Sequence, residues 1–129
     1  MSVLSALWLS RIVLLLAVFE AGWLAFDGSR ALIVGDYVTP RSGPHAGQLG
    51  PWSKLVASVG IDPRSTLMKT VHVVLGVAWL VVACGFAVGQ PWGAKAMMAC
   101  AVLGLWYLPI GTVLSLAQIV LLLVLRTRT

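Results

Sequence analysis

Long apolar runs, interrupted by one polar stretch, dominate the chain. From about Val3 to Phe26 almost every position is hydrophobic, and at about 1.5 Å per residue that run exceeds the roughly 30 Å hydrocarbon core of a bilayer. It predicts a spanning helix over about 3–26. No Lys or Arg precedes Leu4, and Arg11 and Glu20 interrupt the run, so a cleaved signal peptide is not expected. From 27 to 65 the pattern changes. Gly28, Gly35, Pro40, Gly43, Pro44, Gly47, Gly50, Pro51, Gly60 and Pro63 break any long periodicity and predict an extramembrane loop. Within it Trp52, Leu55, Val56 and Val59 recur at helical spacing behind Pro51, which predicts a short helix lying on the membrane interface. A structureless connection of this length would be unusual, so the loop is expected to fold back onto the bundle or the headgroups.

Asp62 with Pro63 makes a good helix start, with Ser65 and Thr66 as alternative caps, and an apolar run carrying only Lys69 and His72 predicts a second span over about 66–88. Gln90, Pro91, Trp92 and Gly93 form a tight connection. The uncharged stretch from Ala96 to Leu125 is about half again as long as a bilayer core needs, and Trp106 to Thr112 gathers aromatics, Pro109 and Gly111 at its middle. Pro109 and Gly111 therefore mark a hairpin turn between helices over about 94–108 and 111–126. The fold class is an all-α integral membrane bundle of four transmembrane helices, with three as the alternative, and residues 1–129 form a single domain.

Composition agrees with this reading. Of 129 residues 60% are hydrophobic and 10% charged, against roughly a quarter charged in an ordinary soluble domain. Mean hydropathy is +0.98. Disorder, secreted disulfide scaffolds and nucleic-acid partners are excluded by these values. The formal charge of +5 reads as anchoring in anionic headgroups, as with Arg126 and Arg128 after the last apolar run. Three spans would put Arg30, Arg41, Lys54, Arg64 and Lys69 on the side of Arg126 and Arg128, leaving Arg11 and Lys95 opposite. Four spans divide the charges almost evenly, and orientation stays open.

The tail from Leu105 to Leu125, with its Leu108, Pro109, Ile110, Gly111, Thr112 turn, resembles the last hairpin of several small, uncharacterised bacterial integral membrane proteins. The resemblance covers about a sixth of the chain. It implies four helices and a bacterial cytoplasmic (inner) membrane, and it brings no activity or ligand.

Ionisable groups inside the hydrocarbon layer are costly and so are candidate functional residues. Glu20 lies about six residues before the expected end of the first helix and His72 about six into the second, which places both about 9 Å inside and predicts an intramembrane Glu20–His72 pair. Such a pair could accept protons, orient His72 toward haem iron or chlorophyll magnesium, or simply satisfy two polar groups between helices. The other histidine, His45, lies in the loop, so no all-protein metal site is expected. Haem held by two histidines would need a second chain. Arg11, about 12 Å into its helix, shares a level with Gln118 in the four-helix arrangement, though snorkelling to the headgroups is the default for so long a side chain. Ser115 and Gln118 share a helix face. Gly85 and Gly89, then Ala96, Cys100 and Gly104, give small residues at four-residue spacing that favour close helix packing. Cys84 and Cys100 lack a redox or metal spacing. Familiar catalytic motifs are missing, and a catalytic set would have to come from Asp36, His45 and Asp62.

The function expected from these features is a non-enzymatic integral membrane protein, an accessory or structural subunit of a larger membrane complex or a homo-oligomer. Its partners would be the lipid bilayer and other membrane chains or copies of itself. The alternatives are an oligomeric channel or small transporter using Glu20 and His72, and a haem- or chlorophyll-binding subunit with His72 as ligand.

Overall fold

The computed structural model describes residues 2–127, which form five helices and no strand. In chain order these are α1 (Val3–Val34), α2 (Trp52–Ser58), α3 (Thr66–Ala87), α4 (Gly93–Leu103) and α5 (Ile110–Thr127). Three of them, α1, α3 and α5, are long and apolar enough to cross a membrane; α4, with 11 residues, is a shorter apolar helix.

Helix α1 runs eight residues past its expected end. Ser2 caps its start by accepting from the Ser5 N–H, and Gly35, in the left-handed region at φ 102°, closes it with an N–H to the Ala31 carbonyl. The stretch from Asp27 to Arg30 looks like a breaker because it is polar and carries a glycine. Tertiary packing overrides that signal: Gly28 sits against α3, where a Cβ would stand 2.6 Å from His72 Cβ, and Ala31 is buried with Tyr37, Trp52 and Met68. The loop therefore spans 35–65, not 27–65. At 32 residues α1 rises about 48 Å, well beyond the hydrocarbon thickness.

Two glycines fix the register of α1 on α3. Gly28 meets His72 and Lys69, while Gly76 meets Ala21 and Ala25, so the helices are antiparallel at backbone-to-backbone distance. Helix α3 starts where Ser65 accepts from the Met68 N–H; Asp62, the expected cap, instead holds the preceding turn by accepting from the Arg64 N–H. Of the small-residue stripe, Gly85 packs against the Trp92 ring, but Gly89 lies beyond the helix at φ 78° with open space around it. Gly89 is thus a turn residue rather than a packing one, because α3 ends at Ala87. The α4 stripe is packed as expected at Cys100, which is buried, with Ala96 half-buried. Gly104 caps the helix and touches Trp79 and Ser115.

The chain leaves α4 at Leu103, five residues before the expected end, and turns through 104–109 with a cis Leu108–Pro109 bond. Thr112 Oγ1 donates to the Leu105 carbonyl across the turn, and Gly111 fits under the Tyr107 ring. Pro109 and Gly111 thus stand at a reversal between helices. Cys84 and Cys100 are free. One core, around Leu24, Trp79, Ala101 and Leu122, lies between α1, α3, α4 and α5. A second, around Ala31, Tyr37, Trp52, Val56 and Met68, seals the bundle under the loop. Helix α2 matches the expected position, but its apolar residues divide: Trp52 and Val56 are buried in the bundle, whereas Leu55 and Val59 face out. Arg128, counted with Arg126 in the charge balance, lies outside the described residues.

Candidate functional site

Glu20 is 2% exposed on the inner face of α1, and its carboxylate is met from α5. Ser115 Oγ donates to both carboxylate oxygens at 3.1 and 3.0 Å, and Gln118 Nε2 donates to Oε1 at 3.1 Å. Ser115 and Gln118 do share one face, as their spacing implies, and that face carries Glu20's donors. Gln118 Nε2 also donates to the Leu114 carbonyl, leaving its buried Oε1 without a partner. Hydrogen bonds of this kind between membrane helices contribute about 0.6 to 2 kcal/mol each.

The Glu20–His72 pair is not formed. The longer helix shifts the level: with α1 ending at 34, six residues inside falls at Gly28, and it is Gly28 that packs on His72. Glu20 lies eight residues, about 12 Å, further along the bundle. His72 is fully buried, and its Nδ1–H donates to the Met68 carbonyl at 2.8 Å, which leaves Nε2 as an acceptor without a partner. Four rings surround the imidazole, with centroids at 4.8 Å for Tyr37, 4.7 Å for Trp52, 5.3 Å for Trp106 and 5.6 Å for Tyr107. Those rings occupy the space a planar macrocycle would need, so haem or chlorophyll does not fit at His72 without dismantling the cage. The Arg11–Gln118 contact is also not formed: Gln118 is engaged by Glu20, and Arg11 stacks over Trp8 at 5.6 Å.

Asp27, expected in the loop, is a helix residue 4% exposed, one heptad beyond Glu20 on the same face of α1. Its Oδ1 accepts from the Val38 N–H at 2.7 Å and so ties the start of the loop to the helix. Among the described residues no hydrogen bond engages Oδ2. Arg30, one turn further on, donates instead to the Asp36 carbonyl oxygen at 2.7 Å.

Glu20 and Asp27 line one cavity of about 370 Å³ between α1, the loop and the 104–109 turn. Its walls are aromatic and aliphatic, with Phe19, Trp23, Tyr37, Trp52, Tyr107 and Leu114 prominent, and among the described residues no Lys, Arg or His lines it. Trp23 Nε1 donates to the Tyr107 hydroxyl at 3.0 Å and fixes the rim. Phe19 and Ile110, each 65% exposed, open the mouth on the outer, apolar surface of the bundle. Asp27, Tyr37 and Tyr107 were missed because only the full length of α1 brings them together; the available signal was the spacing of Glu20 and Asp27 by seven residues, which repeats a helix face.

Elsewhere polar groups are committed to the loop. Asp36 forms an ion pair with Arg64 at 3.0 Å, Arg64 also donates to the Gly47 carbonyl, and Lys69 donates to the Gly35 carbonyl. His45 Nδ1 donates to Gln48, and Asp62 is taken up by its own turn, so Asp36, His45 and Asp62 are not assembled into one site. Among the described residues no group of three or more His, Cys, Asp or Glu side chains is placed to hold a metal ion.

Compared with known protein families, curated proteins and solved structures, the chain matches none.

Proposed function

We propose that the chain is a non-catalytic integral membrane protein that holds a small ligand in the cavity flanked by Glu20 and Asp27. It acts as an accessory component of a membrane assembly, with other chains or with copies of itself, in a bacterial cytoplasmic membrane. The observation that supports this reading is the cavity. Its volume of about 370 Å³ falls in the range of small-molecule sites, its lining is largely apolar, and its polar groups are few and fixed by hydrogen bonds. No nucleophile with an adjacent base stands in its wall, which favours binding over reaction.

Native mass spectrometry of the protein extracted from its own membrane in mild detergent tests the reading. The expected species is heavier than one chain by a second chain, a bound small molecule or both. A bare monomer throughout would overturn it.

A further inference from the structure

We infer that the ligand of this cavity is a lipophilic organic cation, a quaternary ammonium, a phosphonium or a protonated amine carrying aromatic or alkyl groups. The inference rests on the ligand-binding reading above and names the chemistry that the cavity selects.

Charge is the first ground. Glu20 and Asp27 are both more than nine-tenths buried, both line the cavity, and among the described residues no basic side chain lines it with them. Arg64 is paired with Asp36 in the loop, away from the cavity. Taking a carboxylate out of water costs several kcal/mol unless a positive charge or enough donors replace the solvent. Glu20 has three donor contacts from α5, whereas Asp27 has one, on Oδ1, with Oδ2 unengaged. The Arg30 charge, one turn on, acts on Asp27 from outside the cavity lining, and a cation in the cavity would meet the open Oδ2 directly.

The walls are the second ground. Trp23, Tyr37, Trp52 and Tyr107 present indole and phenol rings around the space, and such rings attract a cation through their quadrupole while matching an apolar substituent in shape. A bare metal ion is the wrong size. Seven helical residues separate the carboxylates by about 10 Å along α1, far beyond the bond lengths of one coordination sphere. A bulky, weakly hydrated cation can lie between both carboxyl groups and give up little hydration in doing so.

Access is the third ground. The exposed rings and side chains at the mouth, Phe19, Trp23 and Ile110, belong to the apolar outer surface. A solute that partitions into the bilayer reaches them directly.

The test uses the full-length protein in nanodiscs of zwitterionic phosphatidylcholine, with empty nanodiscs subtracted for partitioning. Tetraphenylphosphonium and tetraphenylborate are the probes, since they share a shape and differ in the sign of their charge. Saturable one-to-one binding of the phosphonium is expected, with no saturable binding of the borate. Affinity should fall at least about tenfold in Asp27→Asn and in Glu20→Gln, and Leu114→Trp, which fills the cavity, should abolish binding. Equal binding of the two probes, or wild-type affinity in both carboxamide variants, overturns the cation inference and leaves the cavity reading standing. Binding of neither probe overturns both. The comparison of the two probes needs no variant, so a misfolded substitution does not weaken the test.

Discussion

Single residues carry the contact between α1 and α3. At Gly76 a Cβ would stand 2.5 Å from the Ala25 nitrogen and 2.7 Å from the Ala21 carbonyl oxygen, and neither backbone atom can move without shifting a helix. Gly76→Ala should therefore destabilise the bundle by about 1–3 kcal/mol, read as a lower midpoint of thermal unfolding in detergent. Gly22 gives the contrast. Nothing lies within 4 Å of its Cβ position, so Gly22→Ala should leave the midpoint unchanged or raise it slightly through better helix propensity. Equal losses at both positions would refute the register that places Gly76 on Ala21 and Ala25. A different term operates at Ser115, which donates to both oxygens of Glu20. Ser115→Ala should cost about 0.6–2 kcal/mol, the range for one polar contact between membrane helices, and the loss should vanish when Glu20 is already leucine. The polar face of Ser115 and Gln118 and the cost of burying Glu20 were legible in the sequence, but their meeting was not. Which residue faces which across two helices depends on where the helices end.

At the scale of elements, the end of α1 decides what the loop can do. Propensity argues for stopping at Asp27–Gly28; packing against α3 carries the helix to Gly35, and the eight added residues move the level opposite His72 from Glu20 to Gly28. The short helix α2 was legible because Pro51 and the spacing of its apolar residues are local signals. Its docking into the bundle was not, since that depends on the cage of Tyr37, Trp52, Trp106 and Tyr107, which come from three parts of the chain. The loop is further held by Asp36. Burial pushes the Asp36 carboxyl upward, but hydrogen bonds from Arg64 and the Tyr37 N–H, with the charges of Arg64 and Lys69, outweigh burial and hold it below its ordinary value of 3.8. A lowered folded value means that the clamp's contribution is fully present above the ordinary value and is lost as pH falls through the folded one. The pair is partly exposed, at 45% and 43%, so solvent screens it and its effect is local. Hydrogen exchange in residues 35–50, corrected for intrinsic rates, should stay flat from neutral pH down to about pH 4 and quicken below it. Asp36→Asn should quicken exchange at neutral pH and remove the acid limb. An unchanged acid limb in that variant would assign the transition to another carboxyl.

For the whole molecule, the contacts fix which connections share an end. Glu20 meets Ser115 and Gln118 while Trp23, further along α1, meets Tyr107, so α5 runs antiparallel to α1. Gly93 lies on Phe86 and Gly104 on Trp79, so α4 runs back along α3 toward the loop. From the level of Phe86 to that of His72, beside Trp106 and Tyr107, this returning segment covers 14 residues of α3, about 21 Å, short of a full bilayer core. The loop and the 104–109 turn thus stand at one end, and the 88–92 connection and Thr127 at the other. Of the nine Lys and Arg residues, Arg30, Arg41, Lys54, Arg64 and Lys69 gather at the loop end, a bare majority, and from it the positive-inside rule predicts the loop on the cytoplasmic side. With Cys84 and Cys100 replaced by alanine, Ser42→Cys should react with a membrane-impermeant maleimide only in inside-out vesicles. Gln90→Cys and Thr127→Cys should react only in right-side-out ones. Labelling of Thr127→Cys from the same side as Ser42→Cys would require an even number of crossings between them and would refute the antiparallel pairing of α1 with α5, which puts Thr127 at the end opposite the loop.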